Sequence, residues 1–461
     1  MDIQQHIGTF NAQREFFDSG ATLSYTFRRE RLQCLKATLK AHEADIISAL
    51  QNDLHKPELE AYSSELGFVY KEISVALRHL RGWMSPKRVA TPLALWPSKS
   101  WVQPAPLGVV LTVGPWNYPL HLVMAPLVAA IAAGNCVMLK PSEKAPHTAQ
   151  VVQNIVQSAF DPHHVACVRG SGSAVVPLLL NALAFNHVFF TGSPSVGKRV
   201  MTMAAQHLTP VTLELGGKSP VVVHSDANLT VAAQRIVWGK MFNAGQTCIA
   251  PDYLLVHRSV KDTLVEHLRH SIVQFYGEQP EHSPNFARIV NHQRLSVLLH
   301  YLEQGRILHG GRHSTANLFV EPTLIDDVRL DAPIMQEEIF GPILPVITYD
   351  SINEAIGIIR QRRHPLALYL FCNSRNVRRQ ILERVEFGGG AVNNALVHIA
   401  NPNLPFGGVG NSGMGRYHGQ YGFECMSHLK SIVQTPNWPN IKILLPPYNS
   451  TKLDIIRRFL K

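Results

Sequence analysis

Residues 108–140 read GVVLTVGPWNYPLHLVMAPLVAAIAAGNCVMLK. A short apolar run at 108–113 is followed by a Gly-Pro turn, a longer apolar stretch at 120–133, and a second short run at 136–140. Short runs with no polar alternation are strands covered on both faces, and the longer stretch between them is long enough for a helix. The alternation continues with a helix at 147–160, a strand at 164–168, a helix at 174–183 and a strand at 187–191 that ends in a glycine-bounded turn. This spacing predicts a parallel, doubly wound sheet with its ligand at the carboxyl ends of the strands. A second series begins at 220–223 and runs to about residue 395, with helices near 228–242, 259–275 and 351–362. The expected fold is therefore α/β: two doubly wound, Rossmann-like lobes, with the crevice between them as the site.

Outward from this centre, residues 20–83 read as helices, and Leu66, Val69, Ile73, Ala76 and Leu80 recur on one face. Ser85-Pro86 ends that pattern. Residues 87–104 carry Pro92, Pro97 and Pro104 between short apolar pieces, as an extended hairpin reaching to another subunit would. At 437–461, Leu453, Ile456 and Leu460 share a helical face near Lys452, Arg457, Arg458 and Lys461. Packing against the body or a partner subunit is the preferred reading there, with a membrane surface as the alternative.

Composition narrows the class. The 461 residues are 46% hydrophobic and only 16% charged, which excludes long disorder, and 31 Gly with 30 Pro exclude a collagen-like chain. Six cysteines without a CxxC pair or a metal-ligand spacing point to free thiols in a reducing compartment and to no bound metal. The longest apolar run, 122–134, is too short to cross a bilayer, and residues 1–10 lack signal-peptide character, so a cytoplasmic protein is expected. The net charge of +10 is scattered. Its densest clusters, RRER at 28–31 and RQRR at 360–363, lack interleaved aromatics, so attraction to anionic small molecules is favoured over nucleic acid.

Seven loops carry candidate chemistry. NAGQTCIAPDY at 243–253 places Cys248 between a polar glycine loop and an apolar strand, where a nucleophile would be exposed; a lone cysteine is otherwise a small buried hydrophobe. Glu214, in VTLELGGK at 211–218, is flanked by Leu213 and Leu215, and shared burial would raise its pKa toward that of a general base. Asn117, in VGPWNYP at 113–119, either caps a helix or donates its amide to an oxyanion. FTGSPSVGK at 190–198 has the form of an anion-binding helix N-terminus, and KPSE at 140–143 that of a phosphate- or ribose-facing turn. QEEIFGP at 336–342 and LPFGGVGNSGMG at 404–415 hold more glycine than packing requires.

In this order, PWNYP, LKPSE, FTGS, LELGGKSP, NAGQTCIAPDY, EEIFGP and LPFGGVGNSGMGRYHG resemble the aldehyde dehydrogenase superfamily, in its class 3-like branch of fatty and aromatic aldehyde dehydrogenases. The resemblance covers about residues 10 to 436. It implies an NAD enzyme, with NADP also open, that oxidises aldehydes to carboxylic acids. Cys248 would be the nucleophile, its thiolate favoured in an electropositive pocket. The Asn117 amide and the Cys248 backbone N–H would hold the oxyanion, and Glu214 would activate the hydrolytic water. Lys140 and Glu143 would contact the adenosine ribose, Gly192, Ser193, Gly197, Leu215 and Gly216 would border the dinucleotide, and Glu338 and Phe340 would hold its nicotinamide end. Pro194 departs from the family's usual Thr and removes a backbone donor, although it suits a first helical turn.

The resemblance divides the chain into a cofactor-binding domain (1–86, 104–215 and a return at 411–426), a catalytic domain (216–410), a small β oligomerisation element (87–103 and 427–436) and a tail (437–461), assembled as a homodimer. Tyr62, Tyr118, Trp238, Met241 and Phe242 are the candidate substrate pocket, suited to medium- or long-chain or aromatic aldehydes. Transfer of the thioester to coenzyme A or phosphate, and a catalytically silent structural relative, are the alternatives. A water-activating Glu214 argues against the first, and the joint presence of Cys248, Glu214 and Asn117 against the second.

Overall fold

The computed structural model describes residues 3–362, 364–440 and 442–459. Its first sheet runs Gly413–Met414, Val211–Glu214, His187–Thr191, Val109–Val113, Cys136–Lys140, Val165–Cys167, with all neighbours parallel except the Gly413–Met414 edge. Alternate residues serve opposite faces. Val109, Leu111 and Val113 pack with Val175, Leu179 and Val200, whereas Val110, Val137 and Leu139 pack with Val123, Leu127 and Ile155. Helices cover both faces, which is why the strands are apolar throughout.

The second sheet runs Arg306–His309, Thr323–Asp326, Ile343–Tyr349, Tyr253–His257, Pro220–Val223, Ala367–Phe371, Gly389–Val392, with only Arg306–His309 antiparallel to its neighbour. The two-lobed α/β fold expected from the sequence is therefore present. Two of its helices, His292–Leu302 and Arg375–Arg384, were not anticipated. The second is so rich in arginine that only Val377 and Ile381 mark its buried side.

The N-terminal helices lie against the first sheet. Ile3–Asp18 docks through buried Phe10 and through Gln13, whose side-chain amide donates to the Val137 carbonyl at 3.0 Å. Within the RRER cluster Arg29 and Glu30 are exposed, but Arg28 is not. Arg28 is buried and donates to the carbonyls of Thr22 and Ala132 beside Gly134, where a Cβ would collide with the guanidinium. Arg363 of the second basic cluster lies outside the described residues.

Lys87–Val89, Lys99–Pro106 and Ser427–Gln434 form a separate antiparallel three-stranded sheet. Its middle strand continues three residues past the expected boundary at 103. In the tail, Ser450–Phe459 is helical with Leu453 exposed, while Leu460 and Lys461 lie outside the described residues. Among the described residues, no helix is long and apolar enough to cross a membrane.

Candidate active site

The chain crosses from one lobe to the other immediately after Glu214, the last residue of its strand, and starts the second sheet at Pro220. The lobes therefore meet end to opposite end. The first contributes the carboxyl ends of its strands, with Asn117 after Val113, Gly192 after Thr191, and Glu214 itself. The second contributes turns ahead of its strands, with Cys248 before Tyr253 and Glu338 with Phe340 before Ile343. Between them lies a cavity of about 860 Å³ lined by Asn117, Glu214, Cys248, Glu338 and Phe340, among others. A cavity at the switch point of the first sheet fits the expected rule. The amino-end contribution of the second sheet was not foreseen.

Cys248 follows a tightly specified turn. Asn243 and Ala244 are left-handed, with φ of 54° and 51°. Gly245 is also at positive φ, and a Cβ there would lie 2.3 Å from the Gly341 carbonyl oxygen, so only glycine fits. The Gln246 side chain locks the turn, donating to the Asn243 and Arg288 carbonyls and accepting from the Val290 N–H. The surroundings of the thiol correct one expectation. Burial, then the Glu338 and Glu214 carboxylates, push its pKa up, against the opposing pull of the Cys248 and Ile249 N–H groups. Burial and the two carboxyl groups, not a neighbouring cation, set the thiol's pKa.

Glu214 behaves as its apolar neighbours imply. It is 3% exposed, neither carboxyl oxygen has a partner, and burial alone holds its pKa well above the ordinary carboxylate range. Asn117 is not a helix cap. The following helix, His121–Ala133, is capped instead by the Glu65 carboxylate, which accepts from the Leu120 and His121 N–H groups. The Asn117 amide donates one hydrogen to the Gln246 carbonyl at 3.0 Å, leaving its other N–H uncommitted at the cavity.

The remaining candidates divide. A Cβ at Gly216 would fall on the Glu338 carboxylate, and one at Gly197 would strike Leu215, so both glycines permit close approach. Glu338 is pushed up to about 8, first by burial and then by Asp252, against Arg294, the Gly217 N–H and Lys218. Phe340, at φ 46°, packs edge-on to Trp116. Ser193 precedes the Pro194–Ala205 helix without capping it, and Pro194 takes the first helical position as its ring allows. Lys140 pairs with Glu143 at 2.5 Å. Burial raises the Glu143 carboxyl, but Lys140 and the N–H groups of Gly172 and Glu143 outweigh it and hold the group below its usual value. Glu143 and Arg169 line a neighbouring hollow of about 550 Å³.

None of the five substrate-pocket candidates lines the large cavity. Met241 is 1% exposed and belongs to the core. Tyr118 is buried, its hydroxyl 2.6 Å from that of Thr247. Tyr62 and Trp238 are exposed, Trp238 edge-on to Phe242. Arg294 and Val297, on the unanticipated His292–Leu302 helix, do line the cavity. Among the described residues no group of three His, Cys, Asp or Glu side chains could hold a metal ion.

A thiol, an amide N–H and an unpartnered buried carboxyl around one cavity are groups that covalent chemistry at a carbonyl carbon can use. Residues 5–432 match the aldehyde dehydrogenase family, and the chain belongs to it; it is an aldehyde dehydrogenase. It is 46% identical over 98% of both chains to a 4,4'-diaponeurosporen-aldehyde dehydrogenase of Staphylococcus aureus. It is 42% identical to human aldehyde dehydrogenase family 3 member B1, covering 97% of this chain and 96% of that one. The structure of the substrate-bound state of Staphylococcus aureus AldH superposes with a TM-score of 0.97 at 45% identity over the whole of both chains.

Aldehyde oxidation requires a hydride acceptor, and the residues fit a dinucleotide. The Pro194–Ala205 helix presents an uncapped N-terminus, and the Thr191 hydroxyl beside it lines the cavity without a partner.

Proposed function

We propose that the enzyme oxidises apolar aldehydes to carboxylic acids with NAD or NADP, by covalent catalysis at Cys248. The observation that carries this reading is the convergence of Cys248, Asn117 and Glu214 on one cavity from three distant stretches of chain. The Cys248 thiol loses its proton to solvent as its sulfur adds to the aldehyde carbon, and the carbonyl electron pair moves to oxygen, which accepts from the free Asn117 amide hydrogen and the Cys248 N–H. A bound nicotinamide dinucleotide supplies the acceptor for the hydride lost from that carbon. Lys140 and Glu143 would hold its adenosine ribose, Gly192, Ser193, Gly197, Leu215 and Gly216 would border it, and Glu338 and Phe340 would hold its nicotinamide end. The Cys248 thioester that results is hydrolysed by water whose proton passes to Glu214, regenerating the thiol and releasing the acid. Free acid formed without added coenzyme A or phosphate supports hydrolysis. An absolute need for either would overturn it.

Apolar substrates are supported by the relative named for 4,4'-diaponeurosporen-aldehyde and by exposed Tyr62 and Trp238. The helical segment of Tyr62 adjoins the Cys248 turn, since Glu60 accepts from the Asn243 N–H at 2.9 Å. Each methylene buried on binding adds about 0.8 kcal/mol, roughly fourfold in kcat/KM. Across a series from acetaldehyde to decanal, with benzaldehyde alongside, kcat/KM is expected to rise by at least tenfold. A two-carbon optimum would refute this preference.

The three-stranded sheet is proposed to join two subunits as a homodimer, supported by its outer strand Ser427–Gln434, on which Leu429 and Val433 are exposed. Light scattering of the purified enzyme tests this.

A further inference from the structure

One buried ion pair outside the cavity has no part in the chemistry above. Lys56 and Glu65 have fully buried side chains 2.5 Å apart. Neither makes sense as a contribution to stability alone, because a buried pair often gains no more than apolar side chains of the same volume would. Their other contacts are specific. Lys56 Nζ donates to the Asn117 backbone carbonyl at 3.1 Å and lies over the Tyr118 ring, 4.2 Å from its centroid. The second carboxylate oxygen of Glu65 accepts from the Leu120 and His121 N–H groups at 2.9 and 3.1 Å. Between them the two side chains grip both ends of the segment from Asn117 to His121.

The same carbonyl ties this segment to the nucleophile's turn. Asn243 Nδ2 donates to the Asn117 carbonyl at 2.9 Å and to the Gln246 carbonyl at 3.2 Å. The Asn117 amide in turn donates to Gln246. Glu65 belongs to a π-helical turn, Tyr62–Leu66, and such turns recur where a helix must re-aim a side chain for function. Lys56, Glu65 and Asn117 thus form one connected unit, with a single N–H of Asn117 at its cavity end.

We propose that Lys56 and Glu65 are positioning residues for this reaction: they hold the Asn117 amide where the substrate oxygen becomes negative, although neither touches the substrate. This rests on the reading of Asn117 as the oxyanion donor. A donor displaced by about 1 Å costs on the order of 100-fold in rate. Because the displaced group acts only in the transition state, the loss should appear in kcat and not in KM.

The test compares Lys56→Met, Asn117→Ala and the double variant by steady-state kinetics, with coenzyme affinity from the quenching of intrinsic fluorescence. Where Lys56→Met fails to fold because Glu65 loses its buried partner, K56M/E65Q replaces it throughout, since the amide oxygen that E65Q leaves can still accept from the helix N–H groups. The expected result is a fall in kcat of about 100-fold for the Lys56 variant, with aldehyde KM and coenzyme affinity within threefold of wild type. Combining it with Asn117→Ala should cost no more than Asn117→Ala alone. Independent, multiplying losses would overturn the positioning role while leaving Asn117 as the donor. An Asn117→Ala enzyme with unchanged kcat would overturn the oxyanion reading, and the proposal with it.

Discussion

Cys248→Ala is expected to abolish aldehyde-dependent formation of reduced nicotinamide, lowering kcat by at least about 10⁴-fold, as removal of a covalent nucleophile does elsewhere. None of the other five cysteines lines the cavity, so no second thiol can substitute. Cys136 is buried in a strand of the first sheet, and Cys372 lies beyond the strand Ala367–Phe371. The substitution removes one sulfur atom and leaves the Gln246-locked turn in place, so coenzyme affinity should stay within about twofold. Substantial residual turnover would refute the assignment of the nucleophile.

The thiol also has a pH signature. Burial and the two flanking carboxylates oppose its ionisation, so the thiolate fraction of the unliganded enzyme rises with pH and does not level off in the neutral range. Alkylation of Cys248 by iodoacetamide in the absence of coenzyme should therefore accelerate by up to about tenfold per pH unit between 6 and 9. Glu338→Gln should shift that profile to lower pH, most clearly above about 8, where the Glu338 carboxyl is itself ionised. A plateau below pH 7 would show that the carboxylates do not govern the thiol.

Much of this was legible in the sequence, because it depends on local patterns. Apolar runs at 109–113 and 136–140 have no polar alternation, so they had to be strands covered on both faces. Glu214 between two leucines announced its own burial. What escaped depends on contacts between distant segments. Arg28 looks like part of a basic surface until Gly134 leaves room for its guanidinium. The thiol's carboxylate neighbour Glu338 lies 90 residues away, and sequence offers no measure of their approach. Lys56 lies in the short connection after Leu54 and Glu65 in the π-helical turn Tyr62–Leu66, and nothing in their spacing says that both side chains are fully enclosed. Met241 and Tyr118 show the converse: proximity in sequence to Cys248 and Asn117 does not by itself place a side chain on the wall of this cavity.

Glu214→Gln should separate the two halves of the reaction. The amide has nearly the shape of the carboxyl group, so addition of Cys248 and hydride loss can still occur. It cannot take a proton from water, so hydrolysis of the thioester becomes limiting, and kcat is expected to fall by about 10²- to 10⁴-fold. Mixing enzyme, coenzyme and decanal should then give a burst of reduced nicotinamide equal to one per active site. Intact-mass spectrometry should show an added acyl group lost on Cys248→Ala. The same substitution should act on stability in the opposite direction. A carboxyl whose folded pKa lies above its unfolded value of 4.5 contributes stability fully present below that pH and lost as pH rises through the folded value. Glu214 has no partner to offset the burial of its charge, and the amide carries none, so E214Q should unfold at a higher temperature than wild type, by a margin that widens above pH 5. This is the trade expected of a carboxyl held in an apolar site for chemistry. Normal turnover without a burst would show that Glu214 is not the base, and a lower melting temperature at pH 8 would show that its burial does not strain the fold.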